Sequence, residues 1–442
     1  MTLVLAGGTV VSSLDPPRMA RADVVVEGTR VLVVGSGSRA GTRLDCTGCL
    51  IVPGNVCAHT HLYSSLARGM PYDLTPPANF VQILQRLWWR LDRALDEETI
   101  RASALVGGLE ALLCGTTTVV DHHASPNAVD GSLDVVADAL EELGLRSVLC
   151  YETSDRDGLD IAAAGIRENE RFLARPRPLA RGMVGAHASF TLSPDTLDSC
   201  VDLSKRAGAG LHIHVAEDES DQRDALDRFG IRVVERLEKA GVLREDALLA
   251  HCIHLDDSEL ASVRASGASV AHNPTSNMNN AVGHADVWAL GDLVALGTDG
   301  IGADMFAEAR AAYFRAKEED LRFPLGWPVA RLAEGARFAG RHFGEPTLGS
   351  VEPGAPADLV VLDAPVPAPL TDTNLAGHWM FGLASRAVRD VVVDGELIVA
   401  GRRLVRVDQD ELAAGAAVVA RRLWERYASI APHGFEPRGA AA

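Results

Sequence analysis

The chain has 442 residues, 47% hydrophobic and 23% charged, with 42 Lys+Arg against 60 Asp+Glu and a formal net charge of −18. That length suits one large domain plus a smaller one, since domains run about 100 to 250 residues, and the composition excludes long disorder. The negative charge argues against nucleic acid or an anionic membrane as partner and suits a small neutral substrate.

The chain opens on MTLVLAGGTVVSS, which has no basic leader and whose apolar run is broken by Gly-Gly. It reads as a strand and turn, not a signal peptide. No run approaches the roughly 18 apolar residues of a membrane span. Seven cysteines, an odd number lying in apolar segments, read as small buried residues of a reducing compartment, so a cytoplasmic location is expected. Cys46 and Cys49 form a CxxC with no second half to complete a zinc site.

Residues 2 to 52 carry Val-rich runs with GT turns and no helix between them, and residues 358 to 407 repeat that texture. The two segments are expected to pair into one small β-sandwich. Between them lie eight short apolar runs ending in polar residues: CLIVPGNVCAHTH, TTTVVDHH, LRSVLCYETSD, GMVGAHASFT, AGLHIHVAED, ALLAHCIHLD, ASVAHNPTSN and DLVALGTDG. Most are separated by helical segments rich in Ala, Leu and Glu, which predicts an α/β fold, a (β/α)8 TIM barrel with its site at the C-terminal strand ends. The expected division is 1–52 as the first part of the sandwich, 53–344 as the barrel and 345–410 as the second part of the sandwich. Residues 411–442 are expected to form a surface helix and a frayed tail.

The strand ends carry the chemistry. His59 and His61, two apart in a strand, face the same way, and by themselves are only half of a metal site. The fifth run adds His214 with Glu217 three residues on, the sixth adds His251, and the eighth ends in Asp299. On a barrel these converge, giving His59, His61, His214 and Asp299 as ligands of one divalent ion with His251 beside them. Zn2+ is the first expectation; Fe2+ or Mn2+ fit the same donors. Such an ion makes hydroxide available near neutral pH. Asp299 is expected to bind the ion and take the proton from water, His251 to hold the attacking oxygen, and Glu217 to protonate a ring nitrogen. His212 shares a face with His214 and is either an alternative ligand or, as expected, one layer deeper. The three lysines, Lys205, Lys239 and Lys317, avoid strand ends, which favours one metal over a lysine-bridged pair.

The remaining polar strand ends are candidates for substrate binding: His187, Asn273, Ser276, Asn277, His122 and His123, with Arg68 and Tyr63 on a long Pro-rich first loop. Asn277 could instead brace its loop, and His122 and His123 are expected chiefly to orient other imidazoles. Trp88 and Trp89 in LWWRLDR read as helix packing.

PGNVCAHTH, HIHVAED, AHCIHL, HNPTSN and LGTDG resemble the amidohydrolase superfamily in its deaminase and chlorohydrolase branch, over nearly the whole chain. More narrowly, LWWRLDRALDEE, DHHASP, GAHASFT, SNMNNAVG and GTDGIGADMF resemble the SsnA group of aminohydrolases. The resemblance implies the same ligands and catalytic residues and cytoplasmic location, and it supplies no substrate. The function expected is therefore that of a mononuclear aminohydrolase deaminating a small N-heterocycle such as a purine or pterin. A chlorohydrolase or cyclic-amide hydrolase using the same site is the alternative, and a non-catalytic metal-binding subunit is the alternative of another class. The expected partners are that substrate and water, with a homodimer implied by resemblance alone.

Overall fold

The computed structural model describes residues 2–35, 40–364 and 366–439. The eight apolar runs become eight strands: Asn55–Thr60, Thr116–His123, Arg146–Tyr151, Val184–Ala188, Leu211–Val215, Leu248–His251, Ser269–His272 and Val294–Leu296. All pair in parallel with their neighbours and are buried along their length. Burial on both faces is why they read as continuous apolar runs, without alternation. With the short strand Ala180–Gly182 added, their hydrogen-bonded ladders form two sheets, of four and five strands, not one closed ladder. The sheets meet at two parallel bridges, Thr153 to Ala186 and Thr60 to Asp299.

Helices occupy most of the crossovers and begin on local signals. Asp96 and Asp256 each accept from the backbone three residues on while that residue's side chain reaches back, which caps Glu97–Leu113 and Asp257–Ser266. All three lysines lie on helices, away from the strand ends.

The two termini pair as expected, with one difference from the sandwich drawn from sequence. Their nine strands form a single ladder, running from Arg403–Leu404 through Leu359–Leu362, Leu50–Pro53 and Thr2–Leu14 to Arg30–Gly35. Thr2–Leu14 is long enough to pair in parallel with Thr42–Asp45 at one end and Leu50–Pro53 at the other. One sheet can therefore fold around one apolar cluster, built from Leu5, Val24, Val26, Ile51, Val361, Val392 and their neighbours. Gly54 marks the passage from sheet to barrel. A Cβ there would lie 2.1 Å from Thr117 Oγ1, so no larger residue fits. Arg146, opening the third barrel strand, donates two hydrogen bonds to Asp358 of the terminal segment at 2.9 and 3.0 Å.

The C-terminal helix, Gln409–Ser429, packs against Glu97–Leu113. The segment after it is not frayed. Residues 431–439 run back over the barrel mouth, held by hydrogen bonds from Gln85, Arg93 and the backbone of Arg438. Residues 440–442 of that expectation fall outside the described chain.

Candidate metal centre and active site

The eighth strand end is stitched to the first. Thr298 and Asp299 both donate backbone N–H to His59 O, at 2.9 and 3.0 Å, and His61 N–H donates to Asp299 O at 3.3 Å. Gly297 lies where a Cβ would come within 2.4 Å of Asn273 Oδ1 and 2.8 Å of His59, so the close approach needs glycine. Three non-glycine turns are held left-handed at strand ends: Ala216 at φ 46°, His251 at 72° and Asp299 at 54°. Such conformations cost about 1–3 kcal/mol each and persist only where surrounding structure dictates them. Here they aim His251 and Asp299 inward.

One ligating atom from each of His59, His214, His251 and Asp299 lies within 4.8 Å of the others. His61 joins them, with Nε2 3.0 Å from Asp299 Oδ1 and 3.2 Å from His214 Nε2. That last contact is informative. His61 Nδ1 faces His122 O at 2.6 Å and His214 Nδ1 faces His187 O at 2.8 Å. A carbonyl can only accept, so each Nδ1 carries the proton and, in the neutral ring, each Nε2 is a bare lone pair. Two such lone pairs 3.2 Å apart beside a carboxylate repel unless a cation, a metal ion or a proton on His61 Nε2, stands among them.

His59 and His251 are prepared in the same manner. His59 Nδ1 lies 2.9 Å from Nε2 of His212, which is fully buried one layer down, as expected. His59 Nε2 has no hydrogen-bond partner and lies 3.5 Å from Asp299 Oδ1. His251 Nδ1 lies 2.8 Å from Asn277 Oδ1, which frees Nε2 toward Glu217 Oε2, 3.5 Å away. The donor set and its orphaned nitrogen fit a divalent ion. A second grouping, His61, His122, Glu152 and His214, shares two of these residues.

Electrostatics follow from burial and from Asp299. Burial, with the neighbouring histidines adding, holds the His214 imidazole well below its usual range, and burial brings His59 down to about 3. Burial opposes protonation of His61 too, but the hydrogen bond and charge of Asp299 and the charge of Glu152 raise it to about 9, so a proton on Nε2 is what a bound ion would displace. His59 and His61 thus shift oppositely although both face Asp299, because Asp299 Oδ1 is nearer His61. Burial works against ionised Asp299, yet the two histidines hold its carboxyl well below the carboxylate range. Burial raises Glu217, with the charge of Asp299 reinforcing it and His251 opposing.

Beside the cluster lies a cavity whose wall is aromatic, with Tyr63, Phe80, Trp88, Trp89 and Phe190. Its polar rim is Glu152, His187, Glu217, Asp218, Asp221 and Asn280. Among the described residues neither Lys nor Arg lines it. His187 lines it, with Nδ1 2.7 Å from Thr191 Oγ1. Trp88 and Trp89 pack into the main apolar core and also line the cavity. Other candidates fall elsewhere. Asn273, Ser276 and Asn277 stand behind the machinery: Ser276 donates to Asp299 Oδ2 at 2.5 Å, Asn277 holds His251, and Asn273 Nδ2 lies 3.5 Å from the same imidazole. His122 is fully buried between Glu152 and His212 O, and His123 bonds Ser125, so neither reaches the cavity. Arg68 points away from it and pairs with Glu110 at the surface.

Glu152, Asp218, Asp221 and Asn280 are the polar cavity residues that sequence reasoning missed. Glu152 ends the third run, YETSD, and the strand-end rule that found the histidines also points to it. Arg156 neutralises it from behind, donating to Glu152 Oε1 at 2.7 Å and to Asp92 Oδ2 at 2.6 Å. Burial disfavours the Glu152 carboxylate, but His187 and Arg156 hold it ionised. Asn280 donates to Glu217 Oε1 at 3.3 Å.

A parallel α/β barrel joined to a sheet built from both termini, with imidazoles and one aspartate around a metal position at the strand ends, is the build of a metal-dependent hydrolase. The chain belongs to the amidohydrolase family, whose model matches residues 50–398. It is 32% identical over 424 residues to a 5-methylthioadenosine/S-adenosylhomocysteine deaminase of Desulforudis audaxviator, covering 91% of this chain and 95% of that one. Among solved structures it superposes on a zinc-bound adenosine deaminase from Xanthomonas campestris with a TM-score of 0.83 at 25% identity, over 97% and 99% of the chains. It shares the fold of a zinc-complexed atrazine chlorohydrolase from Arthrobacter aurescens, TM-score 0.81 at 22% identity, over 95% and 100%. Among the described residues no helix is long and apolar enough to cross a membrane.

Proposed function

We propose that the protein is a mononuclear aminohydrolase that hydrolytically deaminates a small nitrogen heterocycle, a purine, pterin or related ring. The observation that carries this reading is the convergence of lone-pair imidazole nitrogens on Asp299, with Glu217 beside them at the wall of an aromatic slot. His59, His61, His214 and Asp299 would hold one divalent ion. Zinc is the proposed ion; Fe2+ and Mn2+ suit the same mixed donor set. When bound, such an ion lowers the pKa of water to roughly 7 and supplies a nucleophile at neutral pH.

The side chains do the rest. Asp299, with one oxygen fixed by Ser276, takes the proton from water. His251, oriented by Asn277, presents Nε2 to the attacking oxygen. Glu217, whose burial favours the protonated carboxyl, donates to a ring nitrogen as oxygen adds to the neighbouring carbon. The C–N bond to the amino group then breaks and ammonia leaves with a proton returned through the same carboxyl groups. Glu152 and His187 orient the ring from the opposite side. Deaminase relatives support this outcome over the alternative, displacement of chloride or opening of a cyclic amide, and so does Glu217, because a chloride leaving group needs no ring protonation.

The reading also assigns 53–344 to the catalytic barrel, 1–52 with 345–410 to the supporting sheet and 411–442 to the C-terminal helix and its extension. It places the enzyme in the cytoplasm and is compatible with a homodimer. The test is ammonia release by metal-loaded protein over a panel of purines, pterins and triazines, with chloride assayed in parallel. Ammonia from any ring supports deamination, chloride alone supports the alternative, and no turnover at full metal loading leaves only a metal-binding subunit.

A further inference from the structure

The segment beyond the C-terminal helix is tied to three parts of the barrel mouth. His433 N–H donates to Gln85 O at 2.9 Å, and Gln85 Nε2 donates back to Phe435 O at 2.8 Å. His433 Nε2 lies 3.3 Å from Asp157 Oδ1, beyond the third strand, while its Nδ1 accepts the Phe435 N–H at 2.9 Å. Both ring nitrogens are thereby used by a neutral imidazole. Arg438 N–H donates to Asp224 Oδ1 at 2.8 Å, on the helix Glu219–Phe229 that follows Glu217. Two further bonds start from the Trp-bearing segment itself: Arg90 Nε to Ile430 O at 2.7 Å and Arg93 Nη2 to Ala431 O at 2.8 Å.

The rings of this strap stand against the cavity wall. His433 and Phe435 meet Trp89 nearly edge-on, at centroid distances of 5.4 and 5.7 Å, and Phe435 lies 6.4 Å from Phe190. Trp89 follows the π-wound turn Leu84–Trp88, a local geometry that departs from the regular helix and recurs at functional sites. The strap meets Trp89 on one side, and His187, Phe190 and the Arg156 guanidinium meet it from the barrel. Pro432 and Pro437 limit the strap's freedom, and Pro437 is buried.

The space so enclosed is small. About 40 Å³ is open to the centre of a water molecule, and each water needs roughly 10–15 Å³ of such space. That suits a flat ring slid between aromatic faces; a ribose on the ring would need the wall to retreat. Glu152, Glu217, Asp218, Asp221 and Asp299 line the cavity, and among the described residues no Lys or Arg side chain lines it to balance an anionic substituent.

We infer that the strap 432–438 is a specificity determinant: by fixing Trp89 it holds the slot at the width of a bare, uncharged heterocycle and turns away the N-ribosylated form. This rests on the deamination proposed above. Its residues are positioning groups, since they reach the ring only through Trp89 and Phe190.

The test compares full-length protein with Phe435→Ala and with the conservative Phe435→Tyr, using bare purines and pterins against their N-ribosides. Removing one edge-on aromatic partner is worth about three- to tenfold. Phe435→Ala should raise KM for the bare ring by about that factor with kcat nearly unchanged, and should raise the riboside-to-bare ratio of kcat/KM by at least as much; Phe435→Tyr should restore both. Hydrogen exchange is the second readout, with amides of 80–91 losing protection in Phe435→Ala while those of the terminal sheet do not. An unchanged selectivity ratio, or a loss equal for every substrate, overturns the inference. If no ring is turned over the deaminase reading fails, and unchanged protection of 80–91 would then overturn the strap by itself.

Discussion

The terminal sheet and the barrel mouth are both buried, and they are built from opposite materials. The sheet closes on Leu5, Val24, Val26, Ile51, Val361 and Val392, residues whose burial is favourable wherever they are placed. The mouth buries His59, His61, His122, His187, His212, His214 and His251 together with Asp299 and Glu152, and half-buries Glu217. Burying polar groups is unfavourable unless each finds a partner. The mouth therefore depends on groups that complete it, and the sheet does not. The first region carries stability and the second spends part of it on chemistry.

The largest effect should come from taking the carboxylate out of the mouth. Asp299→Ala removes the group that faces both His59 and His61, so elemental analysis should find the ion largely lost. Turnover should fall by about 10³-fold or more, roughly 4 kcal/mol or more in barrier. Chelation should lower the thermal midpoint of the parent protein, because a ligand bound to the folded state stabilises it by mass action, and should leave Asp299→Ala unmoved. A variant that kept full metal content would break the contrast between the two regions. Glu217→Gln sharpens it from the other side. The ion should remain, and kcat should fall by about 10²–10⁴-fold, the usual worth of a positioned general acid; loss of metal instead would make Glu217 a ligand.

Arg146→Ala tests the joint between the regions. Its guanidinium and Asp358 are nearly inaccessible to water, at 5% and 2% side-chain exposure. Removing one partner strands the other's charge, which costs about 3–5 kcal/mol. Urea unfolding should show that loss as a lower midpoint with unchanged slope, while kcat/KM measured well below the transition stays at the parent value. A large catalytic defect would mean that the sheet does more than support the barrel.

Legibility in sequence follows the same division. The eight strands could be read because a parallel strand buried on both faces must be apolar throughout, and the terminal strands because GT and DG turns punctuate Val-rich runs. His59, His61, His214, His251 and Asp299 could be placed together because a barrel gathers strand ends regardless of their distance along the chain. Three things were hidden. Asn273, Ser276 and Asn277 sit at a strand end as substrate-binding groups would, but the turn after His272 directs them toward His251 and Asp299. Glu152 carries no motif, and its role depends on Arg156 and Asp92 arriving from other segments. The strap reads as a tail because Pro, Gly and His have no periodicity; only the positions of Gln85, Asp157 and Asp224, all far away in sequence, give it a path.

The smallest effect expected belongs to one of those hidden residues. Asn277 accepts from His251 Nδ1 at 2.8 Å and touches nothing in the cavity. Without that acceptor the imidazole can take its other tautomer, placing a proton on Nε2 where a lone pair faces Glu217 and the reacting oxygen. Partners that orient a site imidazole in this way are typically worth 10–100-fold, so Asn277→Ala should lower kcat by about that factor, with metal content and KM close to the parent. Asn277→Asp retains an acceptor for Nδ1–H and should recover most of the loss. A rise in KM without change in kcat would show that Asn277 acts on the substrate, and a fall in metal content would show that His251 belongs to the ligand set.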